Sequence, residues 1–341
     1  MKCHLNPFHQ VAVATTIFMS VVACDRSSPP ESGQPASPTK KLTSVTLQLN
    51  WVPEPEFGGM FAAVHDGIYA DEGLEVEIRK GGAQVPCAQL VASGQVQFAV
   101  VSGEEVLTLR ARGGAIVAVF ATFQQNPTGF LLHASNPIDS LEALWTSAST
   151  IGIDPGLPFV QILNQKYGGK SLKLVPYSGA LATFMASPEY VQQCFITAEP
   201  VECQLRGLAT KVLPISDVFN PYGAVIATNE TTIRDNRPMV EAFVRATREG
   251  WRRYLKSPEV YNPTIARMNP SMTIEAMNLA AKLEAPLIIP QSEGSLDGES
   301  SIGRMTLERW RITGEQLVQT GVMTAVGTVE DAFLKVDSAP H

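Results

Sequence analysis

Short apolar runs alternate with helical stretches along most of the chain from Val45 onward, and this rhythm narrows the possible folds more than any other feature. Residues 45–49, 74–78, 97–101 and 116–122 read as strands: each is rich in Val, Ile, Leu or Phe and too short to form a stable helix. Stretches from about Gly58 to Tyr69, from Pro86 to Ser93 and from Glu104 to Arg112 have helical character and fall between them. A strand, a helical crossover and another strand form the unit of a parallel sheet, so the pattern predicts an α/β fold.

The second half repeats the theme, with strands at 150–153, 172–175 and 193–197 and helices at 158–167, 180–186 and 199–208. A local echo links the halves. CAQLVAS at 87–93 leads into VQFAV at 96–100, and LATFMAS at 181–187 leads into VQQCFI at 191–196. Two segments, QQNPTGFLL at 124–132 and NPYGAVIAT at 220–228, place Asn-Pro and Gly beside a β-rich run, which suits a hinge. An amphipathic helix is predicted over 238–255, with Met239, Phe243, Ala246, Gly250 and Tyr254 on one face, and further helices over 274–283 and 307–317. The expected architecture is two α/β lobes with a ligand cleft between them, joined by a two-strand hinge. Lobe one is residues 43–126 plus 223–331, and lobe two is residues 127–222.

Residues 1–23 read as an export signal: Lys2, then the uncharged VAVATTIFMSVV at 11–22, then Val21-Val22-Ala23-Cys24, a sequence like a bacterial lipobox. Cys24 is the expected lipidation site, with an ordinary secretory signal as the alternative. Residues 24–42, rich in Pro, Ser and charge, have little to bury and read as a flexible tether. A net charge of -7 argues against a nucleic-acid surface, which needs clustered Lys and Arg. Cys87, Cys194 and Cys203 remain beyond the signal, with no CxxC pair, so no zinc site is expected. Cys194 and Cys203 read either as a disulfide or, with Cys87, as small buried residues.

Ligands of open α/β sheets bind at the carboxyl ends of the strands. Four loops qualify. In the first, Asn50 and Trp51 lead into Glu54, Glu56, Phe57, Gly58 and Gly59: aromatic faces for stacking, carboxylates to accept N–H donors, and glycines that allow close approach. Trp51 as a core aromatic with solvated Glu residues is the competing reading. The second loop carries Ser102, the third Pro155 and the fourth Glu199; Ser102 and Glu199 have simpler readings as helix-capping residues. Tyr177 and Tyr222 complete the candidate set. Carboxylates without a nearby basic residue favour a neutral or cationic planar ligand over nitrate, sulfonate or phosphate.

VTLQLNWVPEPEFGGMFAAVHDGIYADEGLEVEIRKGG at 45–82 resembles the NMT1/THI5-like branch of type II periplasmic binding proteins, through its Asn-Trp-x-Pro after a strand and its Gly-x-Tyr-x-x-x-Gly-Leu-x-Val. Ser93-Gly94 with Phe98, Glu199-Pro200 and the return at Tyr222 extend the resemblance to about Phe333. It implies a solute-binding lipoprotein of an ABC importer. Such a protein is held by its lipid on the periplasmic side of the envelope, works as a monomer and delivers its ligand to permease subunits in the membrane. It also implies a thiamine pyrimidine precursor as ligand, with riboflavin, nitrate, sulfonate or taurine as alternatives, and Asn50, Trp51 and Glu199 as ligand contacts. The chain departs from the pyrimidine-type pattern at Glu54-Pro55-Glu56-Phe57. Pyrimidine-synthesising relatives need a Cys-rich segment; this chain has none, its His65 falls in a predicted helix, and no G-x-S-x-G, H-E-x-x-H or P-loop is present. Neither catalysis nor a cofactor is therefore expected. A ligand-sensing partner of a membrane receptor would use the same fold.

Overall fold

The computed structural model describes residues 41–82, 84–154, 156–169, 171–177, 181–289 and 298–336. The export signal, most of the tether, Cys24 and Pro155 lie outside the described residues.

Ten strands form two five-stranded sheets. The first holds β1 (Thr43–Gln48), β2 (Leu74–Arg79), β3 (Phe98–Val101), β4 (Ile116–Ala121) and β10 (Val225–Asn229), in the order β2-β1-β3-β10-β4. The second holds β5 (Thr128–His133), β6 (Thr150–Ile153), β7 (Lys173–Pro176), β8 (Val191–Phe195) and β9 (Thr210–Pro214), in the order β7-β6-β8-β5-β9. The two orders are the same pattern. In each sheet four strands run in one direction, and the strand beside the central one is antiparallel to both of its neighbours. The repeated helix-turn-strand units in the sequence end in β3 and β8, the central strand of each sheet.

The sheets are mixed, which corrects the expectation of parallel strands. The antiparallel strands are β10 in the first sheet and β5 in the second. Each is the strand by which the chain enters that sheet on passing from the other. Entry from the far side reverses the chain direction, and no βα alternation announces it.

Three elements were not evident from the sequence: helix Leu141–Thr146, strand β9 and helix Pro258–Met268. The first is under two turns long, β9 ends in a proline, and the third has Pro263 inside it. The long helix is Glu230–Lys256, with a break at Asn236. The Asn236 side chain accepts from the Met239 N–H at 3.3 Å and so caps the segment that the sequence placed from Pro238. That segment buries Met239, Phe243, Ala246, Gly250 and Tyr254 against the first sheet and helix Gly58–His65.

Gly59 and Gly250 let these two helices touch backbone to side chain. A Cβ on Gly250 would lie 2.1 Å from the Gly59 carbonyl oxygen, and one on Gly59 would lie 2.2 Å from the Trp251 ring. Cys87, Cys194 and Cys203 are all buried and free, so the small-buried-residue reading holds over the disulfide.

The two crossings between the sheets lie side by side. The Thr122 N–H donates to the Ala224 carbonyl at 2.9 Å, and the Asn126 N–H donates to Asn220 Oδ1 at 2.9 Å. Arg309, on the C-terminal helix Leu307–Gln319, donates to the carbonyl oxygens of Gln124, Asn220 and Pro221 and so ties both crossings to that helix.

Candidate ligand cleft

Between the sheets lies a cavity of about 300 Å³. Ser102 and Glu104 line it from the end of β3, Asn126 and Gly223 from the crossings, and Phe159, Tyr177, Gln193 and Glu199 from the second lobe. Ser102, Tyr177 and Glu199, far apart in sequence, are thus brought to one space. Among the described residues no Lys or Arg lines it.

Each of these side chains is held from behind. Ser102 is the N-cap of helix Gly103–Ala111: its Oγ accepts from the Glu105 N–H at 3.2 Å, and Glu105 Oε2 accepts from the Ser102 N–H at 2.9 Å. Capping and cavity lining are therefore both true of Ser102. Glu199 opens helix Glu199–Leu205; one oxygen accepts from the Phe195 N–H at 2.8 Å and the other from the Tyr177 hydroxyl. Burial, then the Glu199 charge, pushes the Tyr177 hydroxyl well up, so it stays a donor. Gln193 is fixed by Asp154, donating to its carboxylate at 2.6 Å and accepting its backbone N–H at 2.7 Å. Phe195 leans edge-on to Phe123 at 5.8 Å, and Phe159 to Phe130 at 5.9 Å, which leaves a partly aromatic wall.

Glu104 differs from these. Its Oε2 is buried and has no hydrogen-bond partner among the described residues. Burial raises its carboxyl to about 7, against the pull of its own N–H and of Ser102.

The first loop does not line this cavity; of its residues, Glu54 shares the adjoining space with Glu199. Trp51 is 44% exposed, which excludes the core-aromatic reading. Its backbone is pinned: the Gly81 N–H donates to the Trp51 carbonyl at 2.9 Å, and a Cβ on Gly81 would lie 2.1 Å from the Leu49 carbonyl oxygen. Asn50 is exposed beside it, with its carbonyl accepting from the Gly82 N–H. Glu54 and Glu56 are half-buried rather than solvated. Burial and the Glu199 charge raise Glu54 to about 7, with a hydrogen bond to Trp51 opposing them. Burial and the charges of Glu54 and Glu199 raise Glu56 to about 8. Glu284, fully buried on helix Ile274–Ile288, lies behind them and is itself pushed up by burial and by both charges. Among the described residues no group of three or more His, Cys, Asp or Glu side chains is placed to hold a metal ion. Glu54 and Glu199 also line a second space of about 500 Å³ toward Asn269 and Thr273.

Six sequence candidates do not line the cavity: Asn50, Trp51 and Glu56, in the loop just described, and Phe57, Gly58 and Tyr222. Phe57 is 1% exposed and packs in the lobe-one core. Gly58 permits close approach, but to Tyr254: a Cβ there would lie 2.3 Å from that ring. Tyr222 is buried at the hinge, its hydroxyl accepting from the Thr306 N–H at 2.9 Å and its ring 4.0 Å beneath the Arg309 guanidinium. The last three are corrections to the predicted contact set: a side chain closed in by core or hinge does not meet a ligand in the cleft. Conversely, sequence reasoning missed Glu104, Asn126, Phe159, Gln193 and Phe195. Glu104 adjoins Ser102 in a loop already singled out, and Phe159 follows the Asp154-Pro155-Gly156 loop.

The chain matches the NMT1/THI5-like family over residues 54–260, more than half its length. It belongs to that family. It is 28% identical over 334 residues to the riboflavin-binding protein RibY of Chloroflexus aurantiacus, covering 93% of this chain and 94% of that one. It is 23% identical to the formylaminopyrimidine-binding protein of Halalkalibacterium halodurans, over 66% of this chain and 70% of the relative. A pyrimidine phosphate synthase of Saccharomyces cerevisiae matches at 27% identity over only 37% of either chain. Among solved structures, the periplasmic aliphatic sulphonate binding protein SsuA of Escherichia coli superposes with a TM-score of 0.66, covering 89% of this chain and 95% of that one at 12% identity. The two-lobed fold is that of periplasmic binding proteins, and the relatives that span most of this family member are binding proteins.

Proposed function

We propose that the protein is the solute-binding component of an ABC importer, and that its cargo is a planar nitrogen heterocycle bearing N–H donors. The observation that carries this is the cavity between the sheets, walled in part by Phe159 and Phe195 and supplied, among the described residues, with carboxyls but no cation. An anion such as nitrate or a sulfonate would meet the Glu199 charge there. Arg309, whose charge reaches Glu104, has its guanidinium engaged by hinge carbonyls. A flat heterocycle can instead stack on the aromatic wall and give its N–H groups to the acceptors.

The relatives rank the candidates. Riboflavin comes first, because the relative named for it spans nearly the whole chain. An aminopyrimidine of the thiamine-precursor type comes second, on the shorter match. We place the protein on the periplasmic side of a bacterial envelope, anchored as a monomer through a lipid on Cys24 and docking on a permease. Binding without catalysis is the proposed activity.

Calorimetric titration of the protein without residues 1–40 tests this, using riboflavin, 4-amino-5-hydroxymethyl-2-methylpyrimidine, nitrate and an alkanesulfonate. Micromolar or tighter binding of either heterocycle supports the reading. Binding of nitrate or the sulfonate alone overturns the ligand class, and turnover of a bound pyrimidine overturns the non-catalytic role.

A further inference from the structure

We infer that Val201 is a positioning residue of this cleft: through its contact with Ala276 and Ala280 it latches the second lobe against the first and so retains the bound ligand. The inference rests on the proposed function and assigns a role to a residue outside the cavity.

Two helices meet across the cleft, and each has two buried faces. Helix Glu199–Leu205 turns Cys203 toward the second sheet, where it is buried with Leu131 and Cys194. Val201, 1% exposed, is buried instead with Ala276 and Ala280 of helix Ile274–Ile288. That helix in turn buries Met277, Ala281 and Ile288 in the core of the first lobe. Ala276 and Ala280 lie one turn apart on its other face, where small side chains leave room for the Val201 methyls. The three form a buried cluster of their own, apart from the larger one that runs through the crossings. Beside it lies the space of about 500 Å³, also lined by Val201 and Ala276, so the contact is narrow.

Each partner is fixed to its own lobe. Glu199, two residues before Val201, is bonded to the Tyr177 hydroxyl and to the Phe195 N–H, both of the second lobe. At the far end of the facing helix, the Leu287 carbonyl accepts from the Gln124 N–H at 2.8 Å and from the Gln125 N–H at 3.1 Å. The C-terminal end of that helix therefore sits at a crossing, and Ala280 and Ala276 stand about 10–16 Å along it from that point. A bend at the crossings that frees the ligand parts Val201 from both alanines. Parting exposes apolar surface on both helices, so the contact favours the shut form. Val201 does not line the cavity, and its truncation leaves both bonds of Glu199 in place.

The test times the release of riboflavin and of 4-amino-5-hydroxymethyl-2-methylpyrimidine from wild type, Val201→Ala and the double variant Val201→Ala/Ala280→Val. For the heterocycle that wild type binds, Val201→Ala is expected to release about tenfold faster, matching the loss of two buried methyl groups. Its association rate should stay within about twofold of wild type. The double variant returns the methyls from the facing helix and conserves the volume of the contact, so its release should lie within about threefold of wild type. Without ligand, Val201→Ala should melt within about 2 °C of wild type, because the parted lobes do not depend on the contact. A contact that is only structural gives the opposite pair of results, a lower melting temperature without ligand and unchanged release. Unchanged release from Val201→Ala overturns the inference and leaves the binding reading intact, as does a double variant that releases as fast as Val201→Ala. Failure of both probes to bind wild type overturns the parent reading and this inference with it.

Discussion

Arg309 holds Asn220 twice: Nε donates to its backbone carbonyl at 2.7 Å and Nη2 to its side-chain oxygen at 3.0 Å. The same Asn220 oxygen accepts the Asn126 N–H from the other crossing, and Nη1 of Arg309 reaches the Gln124 carbonyl. One side chain from the C-terminal helix therefore binds both chain segments that connect the lobes. Burial lowers its guanidinium to about 10, still charged at neutral pH. Replacing Arg309 by Ala should cost about 3 kcal/mol, since several partly buried acceptors lose a charged donor together. Arg309→Lys should recover little of this, because one ammonium cannot span four acceptors. Urea denaturation of the three proteins measures it, and an Arg309→Ala midpoint equal to wild type would show that the crossings hold each other without the clamp.

The meeting of Gly59 with Gly250 supports the next expectation. Gly250→Ala puts a methyl 2.1 Å from a backbone carbonyl that sits inside a packed helix, so helix Glu230–Lys256 must shift outward. Overpacking of this kind costs about 1–3 kcal/mol, at the upper end where backbone has to move. Gly207→Ala serves as the contrast: a Cβ there meets nothing within 4 Å, and its left-handed φ of 75° is the single source of strain. A Gly250→Ala protein that melts within a degree of wild type would contradict the close contact.

Much of the fold was legible because it rests on local pattern. The period-2 and apolar strand runs, and the face Met239-Phe243-Ala246-Gly250-Tyr254, are set by residues close in sequence. Strand β9 and the reversed strands β5 and β10 were less legible, because direction and edge position arise from long-range pairing. Glu199, which lines the cavity, is legible because an acidic residue at a strand end is locally unusual; Trp51 is equally unusual there and stands exposed. Phe57 and Gly58 share that loop and belong to the core. Which side of a turn faces the cleft depends on Tyr254, about two hundred residues away. Glu104 was passed over because nothing local shows that its oxygen lacks a partner.

Stability should fall as pH rises from 5 to 8.5. Unfolded glutamates ionise near 4.5, whereas Glu54 and Glu104 keep their protons to about 7 and Glu56 to about 8. Glu284 is raised as well. Between these limits the folded chain binds more protons than the unfolded one, so raising the pH favours unfolding. Asp66 is shifted the other way, below 3.8, and affects stability only in stronger acid. The melting temperature is expected to drop by a few degrees across the window, with Glu56→Gln flattening the profile. A melting temperature that rises with pH over this range would show that these carboxyls are ionised and compensated in the folded protein.

Trp51 gives the sharpest separation of binding from folding. It is 44% exposed, so Trp51→Ala removes little buried surface and should change stability by no more than about 0.5 kcal/mol. The loop itself should persist, because it is held by backbone: Gly81 and Gly82 donate to the carbonyls of Trp51 and Asn50. On our proposal that the exposed ring beside Glu54 stacks on a planar ligand, the variant loses that face. Loss of such a face is worth about 2 kcal/mol, or about 30-fold in affinity. Trp51→Phe should recover part of this, since a smaller ring keeps a stacking surface. Riboflavin offers a direct readout, because stacking on an indole quenches flavin fluorescence. Wild type should then quench more strongly than Trp51→Phe, and Trp51→Ala least. A Trp51→Ala protein that binds with unchanged affinity and quenching would move the ligand away from this loop and toward the Tyr177–Glu199 side of the cleft alone.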